Sequence, residues 1–234
     1  MKIESKNTKV SMIKAESQEV EAPEFKTVNN KDYILYGVKN DFPTILKDMM
    51  NTSSLHSAIL KKKADMSAGK GFETASLEQK NFINNVNGSE TLNEIVYKNA
   101  YDLALYGGYC FLATWSKDKK SIARIQYIDW SKVRKVKELE DDSEVAIRQT
   151  EGVEFYQISA DWKQEKKEKY KPEIVQGFST QYNDVATQLV YVPMYRPGSE
   201  DVYPLPDYQA CSTYIALDTE IASWHLNSVK NGFT

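Results

Sequence analysis

The run Tyr203–Phe233, YPLPDYQACSTYIALDTEIASWHLNSVKNGF, constrains the fold more than any other stretch. Pro204 and Pro206 keep its start out of a helix, because each fixes φ and lacks a backbone donor. Asp207 is a candidate N-cap, its carboxylate suited to accept from the free N–H groups of a first turn. Asn231-Gly232 marks the other end, glycine being the least strained residue at a left-handed C-cap. The helix predicted between them is about 36 Å long at ~1.5 Å per residue. Tyr214, Leu217, Ile221, Trp224 and Ser228 recur at spacings of three and four, and Ile215, Ala222 and Val229 form an adjacent stripe. Asp218 and Glu220 stand at other angles. A helix apolar over so much of its girth is buried in a core or lies between neighbours. Placed after a globular domain, it reads as the start of a continuation in a longer protein.

Upstream, the pattern is α+β: helices first, strands in the middle, a helix last. Residues 1–30 are polar with few apolar anchors and read as a flexible arm. Residues 31–202 form the main domain and 203–234 the terminal helix. Asp32–Tyr36 reads as a short strand. Asp41 caps a helix carrying Pro43 in its first turn, where a missing N–H costs little. Ser53 or Ser54 starts a second helix with Leu55, Ile59 and Met66 on one stripe, ended by Gly69 and Gly71. Leu77–Val86 reads as a short amphipathic helix. Thr91 and Glu94 form a capping box. The helix they open has Leu92, Ile95, Val96, Ala100 and Leu103 on its predicted buried side and ends at Gly107-Gly108. Tyr109–Trp115 and Ile122–Asp129 read as a hairpin. Further strands are expected at Val133–Glu138, Glu144–Gln149, Val153–Ser159, Ile174–Phe178 and Gln188–Tyr195.

Chemistry is sparse. Gly69-Lys70-Gly71 lacks the preceding strand and following Ser or Thr of a phosphate loop, so a helix C-cap accounts for it better. His56 and His225 are the two histidines, without companions at metal-ligand spacing, so no metal site is expected. No nucleophile is matched to a base. Cys110 and Cys211 have no partner at metal or redox spacing and read as two reduced, mostly buried thiols of a cytoplasmic protein. Lys61, Lys62 and Lys63 point in three directions on a helix; a solvated face is the plain reading, a phosphate or subunit contact the functional one. The mixed run Lys163–Lys169 reads as a solvated loop or hairpin tip. With a net charge of −3 nothing marks the chain as a general polyanion binder, and no window approaches the ~20 apolar residues of a membrane span.

Three groups of residues carry a resemblance. The first is YPLPDY followed by YIALDTEIASWHLNSVKNGF. The second is Tyr36-Gly37-Val38-Lys39-Asn40-Asp41-Phe42-Pro43, continuing through Ser53–Ile59, Ala64-Asp65 and Gly69-Lys70-Gly71-Phe72. The third is Leu105-Tyr106-Gly107-Gly108-Tyr109-Cys110-Phe111. In order and spacing they resemble the wing and stem start of tailed-bacteriophage portal proteins. The resemblance covers about Tyr33 to Phe233, with residues 132–188 unmatched. Portal proteins are longer, and the clip, returning helix and crown have no counterpart here.

The resemblance implies a homo-oligomeric ring, typically of about twelve subunits, at one capsid vertex. Double-stranded DNA would pass through it without specific binding. The large terminase subunit, the major capsid protein and tail adaptor proteins would be its partners. It further implies a virion location after assembly in the host cytoplasm, no cofactor and no catalysis. Tyr214, Leu217, Asp218, Ile221, Trp224 and Val229 would make the stem and subunit contacts. Two rival readings stand beside it: a phage or mobile-element nucleic-acid-processing enzyme, and a cytoplasmic scaffold module without a DNA role. The carboxylates an enzyme would need are scattered, as at Asp129, Glu144 and Glu154.

Overall fold

The computed structural model describes residues 25–28, 30–141, 143–197 and 202–232. Most of the anticipated arm, residues 1–24, lies outside them. Phe25 meets the rings of Tyr36 and Tyr203 edge-on, at 5.9 and 5.4 Å between centroids. Thr27 bridges Ile34, and Tyr33 bridges Val136, so the segment expected as a strand makes isolated bridges instead of a ladder.

The helical layer is built from α1 (Phe42–Thr52), α2 (Ser54–Ala68), the short α3 (Leu77–Asn84) and α4 (Leu92–Tyr106). Asp41 occupies the N-cap of α1, but its side chain makes no cap bond; its carbonyl accepts from Thr44 and Ile45 at 2.8 and 3.0 Å. Ser53 closes α1 and opens α2, its hydroxyl accepting from the His56 N–H at 3.1 Å. Gly69 ends α2, its N–H donating to the Asp65 carbonyl at 3.1 Å. The Thr91–Glu94 capping box forms in both directions, at 3.1 and 2.8 Å.

Two helix faces differ from expectation. On α2 the buried residues are His56, Leu60 and Ala64, while Leu55, Ile59 and Met66 are exposed. Apolar residues stand on both arcs of this helix, and packing against α4 selects one. On α4 the fully buried residues are Ile95, Asn99, Asp102, Ala104, Leu105 and Tyr106, and Leu92, Val96, Ala100 and Leu103 are half-buried. The arc turned to the core is therefore partly polar, because it meets polar groups at the end of a strand.

Two antiparallel three-stranded sheets follow. The first has the order β2–β1–β6, from β1 (Gly108–Trp115), β2 (Ile122–Ile128) and β6 (Thr187–Pro193). Cys110 stands opposite both Ile128 and Tyr191. The second has the order β3–β4–β5, from β3 (Val133–Lys135), β4 (Phe155–Ile158) and β5 (Glu173–Gln176). Aromatic rings fill the space between them: Tyr191 stacks on Trp130 at 4.4 Å and on Tyr156 at 4.7 Å. A Cβ at Gly108 would lie 2.6 Å from the Trp130 ring, so glycine is required there. The strand expected at Glu144–Gln149 is instead a helix, α5 (Glu144–Thr150). Ser143 caps it, accepting from the Ala146 N–H at 3.2 Å, and Glu144 pairs with Arg148 one turn on at 2.8 Å. These local interactions outweigh the β-branched Val145 and Ile147.

Asp102 joins the helical layer to the first sheet. It is buried and accepts from the Tyr127 hydroxyl at 3.0 Å and the Trp130 N–H at 3.1 Å. Burial, and then the neighbouring Asp129 carboxylate, push its pKa up to about 7. An unfolded chain releases this proton near the ordinary value of ~3.9. The folded state thus holds the proton more tightly, so this group's contribution is greatest below that value and declines as pH rises toward about 7. Asp102→Asn, which cannot ionise, should remove the decline. Urea unfolding from about pH 4 to about pH 8 should show the variant gaining on the natural protein as pH rises. A pH-independent difference between the two would contradict the assignment.

Gly107 ends α4 in the left-handed conformation, with φ at +80°, and a Cβ there would meet the Leu205 carbonyl oxygen at 2.7 Å. Gly107→Ala should destabilise the domain by more than ~1 kcal/mol, from backbone strain and displacement of that segment. A thermal melt checks this; an unchanged midpoint would show that the segment can move aside at no cost.

Candidate functional site

The terminal helix, α6 (Ser212–Lys230), has 19 residues and is about 28 Å long at ~1.5 Å per residue. It begins later than expected. Asp207 does not cap it but pairs with Lys63 at 2.5 Å, and a short 3-10 turn, Gln209–Cys211, leads into the helix. Asn231 and Gly232 follow it, Gly232 with φ at +69°, as the sequence predicts.

The chain before the helix is held firmly. Tyr203, Pro204 and Leu205 are buried, with the Tyr203 ring stacked on Tyr36 at 4.2 Å. The Tyr208 hydroxyl donates to the Leu105 carbonyl at 2.6 Å, and its ring meets His56 edge-on at 4.4 Å. His56 is buried, its Nε2 without a partner among the described residues, and burial pushes its pKa down. Ser212 and Ile215 are the buried residues of α6 itself. Asp218 accepts from the Ser53 hydroxyl at 2.6 Å, which ties the second turn of α6 to the junction of α1 and α2. Asp218 therefore faces its own domain in this chain, whereas the resemblance implies a subunit contact.

Beyond that point the helix leaves the domain. Tyr214 is 73 % exposed, Leu217 52 %, Ile221 47 %, Trp224 60 % and Val229 63 %. At ~100° per residue, Leu217, Ile221 and Trp224 lie roughly 120–180° round from the buried Ile215. The stripe carrying Tyr214, Leu217, Ile221 and Trp224 thus points away from the domain. Val229 and Leu226 continue the docked side past the domain's edge and are exposed. The sequence showed the two stripes. It did not show that Ile215 alone of the large apolar residues is used internally, since both stripes have the same periodicity.

A second uncovered apolar surface is concave. The half-buried face of α4 and the outer face of the first sheet enclose a cleft of about 400 Å³. Leu92, Val96 and Leu103 line one side, Tyr109, Phe111 and Ile125 the other. Ser67 and the buried Asn99 are its polar groups, and the Asn99 Oδ1 has no hydrogen-bond partner among the described residues.

The lysine triplet does not converge. Lys61 pairs with Asp65 on its own helix at 3.0 Å, Lys63 pairs with Asp207, and Lys62 is exposed. Exposed pairs of this kind contribute little to stability. Among the described residues, no group of three or more His, Cys, Asp or Glu could hold a metal ion, and no helix is long and apolar enough to cross a membrane.

No family model and no curated protein matches the chain. Solved structures do share its fold. A chain in the virion of native gene transfer agent particle superposes with a TM-score of 0.56 over 80 % of this protein, at 10 % identity. A chain in the neck of an empty gene transfer agent particle gives 0.58 over 81 %, at 11 % identity. This protein spans 45 % and 46 % of those chains, a little under half their length. At these identities the likeness is one of fold.

Because Trp224 is exposed, Trp224→Ala should leave the melting temperature of this chain nearly unchanged, within about 0.5 kcal/mol of stability. Ile215→Ala should cost roughly 2–5 kcal/mol by opening a cavity under α6. Paired thermal melts decide the matter, and a larger loss from Trp224→Ala than from Ile215→Ala would mean that α6 docks by its other face.

Proposed function

We propose that the protein is a structural subunit of a phage-like particle, and specifically a portal subunit of the ring at one capsid vertex. The observation that carries this reading is α6: a helix anchored by its first two turns, then running free with an uncovered apolar stripe. A solitary helix with so much exposed apolar surface is unfavourable in water and is stabilised by covering it. The fold shared with chains of the gene transfer agent virion and neck supports a place in such a particle.

The molecule also presents two unlike apolar surfaces, the projecting helix and the cleft beside α4. Contacts between unlike patches are head-to-tail, and they close into a ring when the rotation permits. In this reading Tyr214, Leu217, Ile221, Trp224 and Val229 make subunit contacts, with Asp218 fixing the helix root. DNA would pass without tight binding, since each neutralised phosphate adds affinity and hence drag; a net charge of −3 suits that role. The large terminase subunit, the major capsid protein and tail adaptors are the partners the role requires. The scattered carboxylates give the enzyme reading no comparable support.

Counting copies in purified particles tests the proposal. Quantitative peptide mass spectrometry should give about twelve copies per particle, the number of one closed ring, and antibody labelling should mark a single vertex. Hundreds of copies would make the protein a shell component. Its absence from particles, with the protein left in the soluble cell extract, would favour an enzyme or scaffold.

A further inference from the structure

Among the described residues, the buried guanidinium of Arg134 meets no carboxylate. Arg134 is 2 % exposed, and among the described residues it belongs to no ion pair. It donates from Nε to Asn40 Oδ1, and from one terminal nitrogen to the Ser131 and Val133 carbonyls at 2.8 Å each. The other terminal nitrogen has only a long contact, 3.4 Å to the Asn40 carbonyl. The rings of Trp162 and Tyr36 lie against the guanidinium, at 4.9 and 5.4 Å. Neutral acceptors and ring faces hold the group in place without cancelling its charge. Buried charges are ordinarily paired.

Arg134 also lines a pocket of about 300 Å³, together with five lysines. Two of these are already engaged: Lys31 with Glu165 at 2.9 Å and Lys47 with Asp129 at 3.0 Å. Lys39, Lys132 and Lys163 are exposed and have no ion-pair partner among the described residues. Two carboxylates share the lining. Asp161 is occupied in accepting from the Lys163 N–H at 2.9 Å and the Gln164 amide at 2.6 Å, and Asp41 stands at the start of α1. The hydroxyl-bearing Thr44 completes the wall.

We infer that this pocket binds a compact phosphate group, such as that of inorganic pyrophosphate or a nucleoside triphosphate. The loosely held terminal nitrogen of Arg134 can donate to one phosphate oxygen, and Lys39, Lys132 and Lys163 supply mobile point charges at the rim. A recessed pocket of this size takes a compact polyphosphate in preference to the backbone of a stiff duplex. Neither the ring nor the particle location is needed for this inference.

Isothermal titration of the intact chain with sodium pyrophosphate, and separately with ATP, tests it. Saturable binding with one site per chain is expected, and sulfate should compete. The double variant Lys132→Ala, Lys163→Ala changes exposed side chains only and should fold normally by circular dichroism. It should bind about tenfold or more weakly, as expected for two lost charge-assisted contacts. Arg134→Lys keeps the charge but loses the terminal nitrogen turned to the pocket and the contacts that position it, and should weaken binding as well. The inference is overturned if neither probe binds up to millimolar concentration. It is overturned equally if the folded double variant binds as well as the natural chain, or if these lysines govern duplex-DNA affinity while pyrophosphate does not bind.

Discussion

Tyr36 and Tyr203 lie fully buried with their rings stacked 4.2 Å apart, and most of the architecture converges on that pair. One ring comes from the chain before the first helix, the other from the chain before the last. Their hydroxyls extend the link: Tyr36 donates to the Pro204 carbonyl at 3.1 Å, and Tyr203 to the Ile34 carbonyl at 2.6 Å. The Lys135 N–H in turn donates to the Tyr203 hydroxyl at 2.9 Å, which brings in the edge of the second sheet. Both phenols are therefore satisfied inside the core, as buried polar groups must be. Gly107 lets Leu205 pass close to the end of α4, and the path of the chain into α6 is fixed as a result.

That fixed path gives α6 its direction. A helix attached by a loose linker could fold its apolar stripe back onto the domain. Here Ile215 is buried and Asp218 is bonded to Ser53, and together they commit the docked face. The opposite stripe is exposed among the described residues. Stability of the domain thus rests on one side of this helix, the side carrying Ser212 and Ile215.

The second sheet shows another division of labour. Its inner face supplies Tyr156 to the aromatic stack, while its edge carries Arg134 beneath Trp162. The loop 163–171, which reads from its charges as simply solvated, is pinned by Glu165, which pairs with Lys31 and accepts from the Tyr33 hydroxyl. Its anchoring holds Trp162 over the arginine and so shapes the basic pocket.

Local chemistry made several features legible in the sequence. The Thr91–Glu94 capping box, a serine start for α2 at Ser53 or Ser54, the Gly107 and Gly232 stops and the turn between β1 and β2 each rest on interactions within a few residues. The two apolar stripes of α6, including Tyr214 and Trp224, were also plain from spacing. What tertiary structure decided was which face is used. Leu55 and Ile59 look as buried as Leu60 by composition, yet α4 packs on Leu60 and leaves them exposed. Asp207 has the chemistry of a cap and pairs with Lys63 instead. The meeting of Arg134 with Trp162, and of Tyr36 with Tyr203, joins residues far apart in the chain. Periodicity records how a segment divides its surface, but only the neighbouring elements determine which part of that surface loses its water.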